Sequence, residues 1–97
     1  MWKVIFTKQA AKDAKKLKAA GLDEKAKKLI DVVRENPFAN PPAHEALVGN
    51  LSGFYSRRIS IQHRFVYSIA QNADTSEDAS YDSIVKVVRM WSHYERL

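Results

Sequence analysis

Two alternating runs lie next to each other in the second half of the chain, and they constrain its fold more than any other feature. Residues Phe54–Ile61 and Arg64–Ala70 are rich in aromatic and β-branched side chains and alternate in polarity, as half-buried strands do. Only Gln62 and His63 separate the two runs, which predicts a tight antiparallel hairpin. A third run of this kind, Ser83–Trp91, predicts one more strand.

The N-terminal third of the chain predicts a strand followed by two helices. Trp2–Thr7 has the composition of a strand, and the strong helix formers after it extend to Gly21, a residue suited to a helix C-terminus. A second helix is predicted to begin with Asp23 as its N-cap and to end before Pro37. Its apolar residues repeat on one face of the helix. They are Ala26, Leu29, Ile30 and Val33.

This order of elements, β-α-α-β-β-β, predicts an α+β fold in which a helical hairpin packs on one face of an antiparallel sheet. The 97 residues suggest one domain, residues 1–97. Residues 36–53 contain three prolines and two glycines and are predicted to be an irregular connection. Residues 71–83 are predicted to be an exposed acidic loop. The second face of the sheet is expected to be free to hold a site.

Charge is unevenly distributed along the chain. The net charge is +5, yet residues 71–83 carry four acidic and no basic side chains, so the rest of the chain is +9. A small domain this basic favours polyanions such as nucleic acid, although solubility alone explains the charge equally well.

The absence of cysteine and of long apolar runs narrows the classes of protein further. Without cysteine the chain has no disulfide, zinc–thiolate site or thiol nucleophile. Its start lacks a signal-peptide pattern, and no apolar run approaches the roughly 20 residues that span a membrane. We therefore expect a soluble protein of the cytoplasm with no membrane association.

The hairpin carries two arginines that are expected to share one face. Alternation places Tyr55, Arg57 and Ile59 on the face toward the helices, with Ile61 beside them, and Arg58 and Arg64 on the opposite face. Two neighbouring guanidinium groups repel each other unless an anion lies between them, and phosphate oxygens suit their paired donors. The alternative is that each arginine pairs with a carboxylate at the surface.

Three residues outside the hairpin complete a set suited to RNA cleavage. Cleavage without a metal needs a base for the 2′-hydroxyl, cations for the charge on the phosphorane and an acid for the leaving 5′-oxygen. Glu45 is the only acidic residue between Glu35 and Asp74, and His93, next to Tyr94, can donate a proton at neutral pH. Taken singly, Glu45 also fits an ordinary loop residue and His93 an exposed terminal one. No metal-ligand spacing and no cofactor motif occurs.

The stretch HEALVGNLSGFYSRRISIQHRFVYSI, together with NPF before it and SHY near the end, resembles the YoeB/Txe toxins of the RelE superfamily. The resemblance implies a RelE-like fold and a ribosome-dependent endoribonuclease that cuts mRNA in the A site of the small ribosomal subunit. It assigns Glu45 as general base, Arg64 as the phosphate-stabilising arginine and His93 as general acid. It also assigns Tyr94 as the aromatic residue that positions or stacks on the base, and Arg58 as a further arginine of the site.

The resemblance also implies partners. These are mRNA, the ribosome with its RNA, and a cognate antitoxin whose disordered C-terminal segment folds on binding; a homodimer is also compatible with it. Lysines on the two helices would contact ribosomal RNA phosphates, unless they only form a solvated face. The lysines assigned to this role are Lys15, Lys16, Lys27 and Lys28.

Two other functions stay open at this stage. ParE-like proteins share the fold and poison DNA gyrase without cutting RNA. A non-catalytic module that binds only RNA or an antitoxin is the other alternative.

Three departures from the family pattern bear on activity. The segment after Glu45 reads ALVG, so a lysine common in relatives is missing there. The loop 71–83 is longer and more acidic than in relatives. Residues Glu95–Leu97 extend the chain beyond the His–Tyr pair.

Overall fold

The computed structural model describes residues 2–40, 43–71 and 83–91, without the side chains of residues 71 and 83. These residues form two helices and five strands, with a short 3₁₀ turn at Gly49–Leu51. In chain order the helices and strands are β1 (Lys3–Phe6), α1 (Lys8–Ala19), α2 (Asp23–Glu35), β2 (His44–Ala46), β3 (Phe54–Arg58), β4 (Arg64–Gln71) and β5 (Ser83–Arg89). Neither helix is long and apolar enough to cross a membrane.

All five strands belong to one sheet, in the order β1-β5-β4-β3-β2. The α+β architecture predicted from the sequence is confirmed, with two refinements. Strand β2 lies inside residues 36–53, which were expected to be irregular, and it pairs antiparallel with β3. Strand β1 pairs with β5 in parallel, so the sheet is mixed. Neither feature follows from local periodicity, because strand pairing depends on residues far apart in the sequence.

Short-range interactions define the start of α1 and the turn between α1 and α2. Thr7 is the N-cap of α1, and its hydroxyl accepts a 3.1 Å hydrogen bond from the Ala10 amide. After α1 the chain turns through Gly21 at φ 73°, a left-handed conformation that glycine adopts without strain. The prediction that Asp23 caps α2 is wrong, because the N-cap is Leu22 and Asp23 is the first helical residue. The negative carboxylate of Asp23 still stabilises α2, because it lies near the positive end of the helix dipole.

The core lies between the helices and one face of the sheet. The predicted stripe of α2 is confirmed: Ala26, Leu29 and Val33 are buried, and Ile30 packs against them partly buried. Burial of such apolar side chains is the main stabilising contribution in a domain of this size. From the sheet the core receives Phe65, Tyr67, Val85 and Val87, and from the connection after β3 it receives Ile59.

The hairpin between β3 and β4 is longer than the sequence predicted. Strand β3 ends at Arg58, and the connection runs over residues 59–63. The Ser60 hydroxyl accepts hydrogen bonds from the amides of Gln62 (3.3 Å) and His63 (3.2 Å). Ile61, expected on the inner face, is 88% exposed in this turn, so that prediction is wrong. The turn forms despite the apolar pattern because the Ser60 hydroxyl accepts hydrogen bonds from its amides.

Candidate functional site

An open cavity of about 420 Å³ lies at the β2 edge of the sheet. Because β2 is an edge strand, residues from both faces of the sheet reach this cavity. Three of the residues predicted to form the site, Glu45, Arg58 and Arg64, line it together. The cavity is also lined by Leu29, Ala43, His44, Ser56 and Arg57.

Strand register explains why Glu45 and the two arginines meet. Glu45 lies opposite Ser56, and Arg58 lies opposite Arg64. Ser56 and Arg58 are two residues apart on β3, so their side chains point to the same face of the sheet. Directly opposed residues have Cβ atoms about 5 Å apart. The register therefore confirms that Arg58 and Arg64 share a face, as the alternation predicted.

The second face of the sheet is less open than predicted. Ser56 is 1% exposed and Val66, its partner across the strands, is 0% exposed. Val66 lies on this face and is not part of the helix-side core. Arg58 is exposed and Arg64 half-buried, so the end of this face that carries the two arginines is accessible.

Three buried polar atoms in the lining of the cavity have no hydrogen-bond partner among the described residues. They are His44 Nδ1, Ser56 Oγ and Arg64 Nε. Within the described ranges, neither Arg58 nor Arg64 forms an ion pair with a carboxylate, so the surface-pairing alternative gains no support there. Buried polar groups nearly always have hydrogen-bond partners in folded proteins. Several unpaired polar atoms in residues around one cavity are therefore typical of a binding site.

Arg57, next to Arg58 on β3, has a different role. Its side chain is 0% exposed. It donates hydrogen bonds to the Tyr67 hydroxyl (3.1 Å), the Pro37 carbonyl (2.9 Å) and the Ala39 carbonyl (3.0 Å). Burial raises the pKa of the Tyr67 hydroxyl despite the neighbouring cation. Arg57 thus ties the segment before β2 to the sheet.

The end of β5 is held by contacts from α1 and from the hairpin turn. The carboxylate of Asp13, 0% exposed, accepts hydrogen bonds from Arg89 Nε (2.8 Å) and from the amides of Met90 (3.0 Å) and Trp91 (3.3 Å). The His63 ring stacks on Trp91 with ring centroids 3.9 Å apart. Burial alone raises the pKa of Asp13, but its hydrogen bonds from Met90, Arg89 and Gln9 outweigh burial, so the pKa lies below the ordinary value of 3.8.

The remaining predicted residues fall outside this cavity or outside the described ranges. His93 and Tyr94 follow Trp91 in the sequence and lie outside the described residues. Residues 72–82 of the acidic loop and Glu95–Leu97 lie outside them as well. The four lysines assigned to RNA phosphates are exposed on the helices and are not among the residues that line the cavity. They are Lys15 and Lys16 on α1 and Lys27 and Lys28 on α2.

Sequence reasoning missed two polar residues of the cavity, His44 and Ser56. Ser56 could have been found, because alternation placed it on the same face as Arg58. His44 stands beside Glu45, but no pattern in the sequence says that its ring reaches the same cavity. Among the described residues, no group of three or more histidine, aspartate and glutamate side chains is placed to hold a metal ion.

The fold and its basic cavity define a class of bacterial toxins. The described fold is similar to a YoeB/ParE toxin from Agrobacterium tumefaciens, with a TM-score of 0.78 and 29% identity over 95% of this chain and 99% of that one. It is also similar to a chain of the heterotetrameric YoeB–YefM toxin–antitoxin complex from Staphylococcus aureus, with a TM-score of 0.70 and 26% identity over 97% of this chain and 99% of that one.

The sequence identifies the family within this class. The sequence model for the YoeB-like toxin of bacterial type II toxin–antitoxin systems matches residues 6–94. The chain therefore belongs to the YoeB-like toxin family. Toxin YoeB from Escherichia coli K12 is 42% identical over 50 residues, which cover 52% of this chain and 60% of that protein. The chain thus spans about 60% of the length of that curated relative.

Proposed function

We propose that the protein is a ribosome-dependent mRNA endoribonuclease, the toxin of a type II toxin–antitoxin module. The observation that carries the proposal is the meeting of Glu45, Arg58 and Arg64 in one cavity, with Arg64 Nε buried and unpaired among the described residues. A carboxylate beside two guanidinium groups suits a scissile phosphate with an adjacent hydroxyl. Membership of the YoeB-like family supports the same function.

The proposed reaction needs no external reactant. The Glu45 carboxylate takes the proton of the 2′-hydroxyl, and the 2′-oxygen forms a bond to phosphorus while the bond from phosphorus to the 5′-oxygen breaks. His93 gives a proton to the leaving 5′-oxygen. Arg64, assisted by Arg58, stabilises the charge that develops on the phosphoryl oxygens. The products are a 2′,3′-cyclic phosphate and a free 5′-hydroxyl.

Other residues and partners extend this proposal. Tyr94 stacks on the base of the cleaved nucleotide, because an aromatic face holds any unstacked base. The four exposed helix lysines contact ribosomal RNA while mRNA occupies the A site of the small subunit. A cognate antitoxin, and self-association as a homodimer, are further proposed interactions of this single domain in the cytoplasm. The S. aureus relative is described in complex with YefM, and as a dimer.

Expression in bacteria, followed by primer extension on highly translated mRNAs, tests the function. We expect growth arrest and cuts at codon positions within translated frames. The Glu45→Gln variant, which keeps the shape of the side chain but loses its basicity, is expected to produce far fewer cuts. Intact mRNA in arrested cells would rule out the proposed activity.

One observation keeps gyrase as a second candidate target. The similar A. tumefaciens protein is described as a YoeB/ParE toxin, and ParE-like proteins act on gyrase. An in vitro supercoiling assay with the purified protein separates the two. Gyrase inhibition with undamaged mRNA would favour the second target.

A further inference from the structure

His44 lies at the cavity without any role in the proposed reaction. It belongs to the edge strand β2 and pairs with Arg57 on β3, while its neighbour Glu45 is the proposed base. The cavity lining contains both residues, together with Arg58 and Arg64. Consecutive strand residues point to opposite faces, so His44 and Glu45 approach the cavity from two sides of the strand.

Aromatic neighbours hold the His44 ring. Its centroid lies 6.4 Å from that of Phe38 and 6.2 Å from that of Tyr55, both at steep angles. Phe38 and Tyr55 also contact each other edge-to-face at 5.5 Å. Such pairs stabilise a ring in a defined orientation. The side chain is therefore oriented before any ligand arrives, which lowers the entropic cost of a contact.

The oriented ring carries a polar atom without a hydrogen-bond partner. His44 Nδ1 is buried and has no hydrogen-bond partner among the described residues, and the same holds for Ser56 Oγ and Arg64 Nε in the lining of the same cavity. Leaving such an atom unpaired costs roughly 1–3 kcal/mol. A histidine that only filled an apolar site would leave this nitrogen unpaired at that cost. A hydrogen bond to a ligand oxygen would remove the cost.

We propose that His44 is a substrate-contacting residue, whose Nδ1 forms a hydrogen bond with the ribose-phosphate backbone of the RNA. Arg64 Nε binds an oxygen of the same backbone. The inference rests on the proposed function, since it names further contacts of that site. In this proposal the imidazole nitrogen of His44 acts on the substrate, whereas packing of the ring is not its function.

Two substitutions separate the nitrogen from the ring. In His44→Asn the amide places a polar atom close to the position of Nδ1 but removes the aromatic contacts. In His44→Phe the ring stays and the nitrogen is lost. We expect His44→Phe to slow single-turnover cleavage of ribosome-bound mRNA about tenfold, the equivalent of one hydrogen bond, and His44→Asn to retain cleavage within about threefold. His44→Gln, which extends beyond Nδ1, is expected to behave like His44→Phe.

Controls keep this comparison interpretable. Thermal unfolding of each variant reports whether the fold is intact, and Val48→Ala, at an 83% exposed position outside the cavity, should cleave normally. Full cleavage by His44→Phe, or equal losses in the Asn and Phe variants, would overturn the inference.

A binding measurement tests His44 apart from the reaction. Adenosine 3′-monophosphate carries the ribose and phosphate of a cleaved end, and its titration is followed by NMR through the imidazole nitrogen resonances. We expect the His44 Nδ1 resonance to move on binding. Binding that leaves the His44 resonances unchanged contradicts the inference. Absence of mRNA cleavage by the wild-type protein, with a normal His44 response, would instead count against the proposed function alone.

Discussion

At the scale of residues, adjacent arginines on one strand take opposite roles. Arg57 is fully buried and bonded to backbone carbonyls before β2, whereas Arg58 is exposed and lines the cavity. The alternation of side chains along a strand produces this division. One guanidinium stabilises the segment that leads into the site, and its neighbour is available to a ligand.

Replacing each of these arginines by methionine is expected to give opposite results. Arg57→Met leaves the Ala39 carbonyl without its donor and removes one of two donors to the Pro37 carbonyl. We expect a loss of about 3 kcal/mol in the free energy of unfolding. Urea denaturation followed by circular dichroism measures this loss.

Arg58→Met is the matched control on the same strand. It should leave stability within about 0.5 kcal/mol, because the side chain is exposed, but it should weaken cleavage. Equal stability of the two variants would contradict the division of roles.

At the scale of elements, helix α1 secures the end of β5. Asp13 lies 76, 77 and 78 positions before its three donors, Arg89, Met90 and Trp91, so this contact ties the start of the fold to its end. The hairpin turn contributes a second contact through the stack of His63 on Trp91. The two contacts fix Trp91, and the proposed catalytic residues His93 and Tyr94 come two and three positions later.

The Asp13 contact predicts a pH dependence of stability. Because the folded-state pKa lies below 3.8, the ionised carboxylate stabilises the fold above that pH, and its contribution is lost as the pH falls through the folded pKa. Asp13→Asn is expected to cost about 2 kcal/mol at pH 7 and to flatten the decline of stability at acidic pH. Urea unfolding between pH 7 and pH 3 checks both effects.

Asp31→Asn provides the control for Asp13. Asp31 is 74% exposed and lies 3.8 Å from Arg34, so its removal should change stability by less than about 0.5 kcal/mol. An Asp13→Asn protein as stable as this control at neutral pH would show that the buried contact contributes little.

The lysines of the helical hairpin predict a salt-dependent interaction with the ribosome. Changing Lys15, Lys16, Lys27 and Lys28 to glutamine removes four exposed cations. If each contacts an RNA phosphate, the slope of log affinity against log salt concentration should fall by about 3. Binding to ribosomes at several KCl concentrations measures this slope. Lys86→Gln, at an exposed position on β5, is the control and should change the slope by less than one. An unchanged slope in the quadruple variant would show that the four lysines only form a solvated face.

At the scale of the whole molecule, the fold places a basic cavity at one edge of a mixed sheet and packs a basic helical hairpin on one face of that sheet. Exposed cations thus occur on two surfaces, at the cavity with Arg58 and on the helices with the four lysines. This distribution suits a protein that binds a large RNA assembly while acting on one phosphate. The same surfaces would suit an acidic segment of the proposed antitoxin.

Sequence patterns were sufficient where the determining interactions are local. The apolar stripe of α2 and the shared face of Arg58 and Arg64 both follow from periodicity. Strand β2 did not, because the three residues His44–Ala46 are too few to show a period and pair only through the sheet. Asp13 was not singled out either, since a carboxylate in a lysine-rich helix usually faces solvent. Its burial depends on a strand end 76–78 positions away.

The most direct measurement follows mRNA on purified ribosomes with one defined codon in the A site. We predict that the protein cuts this codon and leaves a 2′,3′-cyclic phosphate and a 5′-hydroxyl. A single 2′-deoxy substitution at the cleaved nucleotide should abolish the cut, and Arg64→Ala should slow it about 100-fold with the fold intact. Cutting that persists on the 2′-deoxy message, or at the normal rate with Arg64→Ala, would contradict the assignment of this cavity as an RNA-cleaving site.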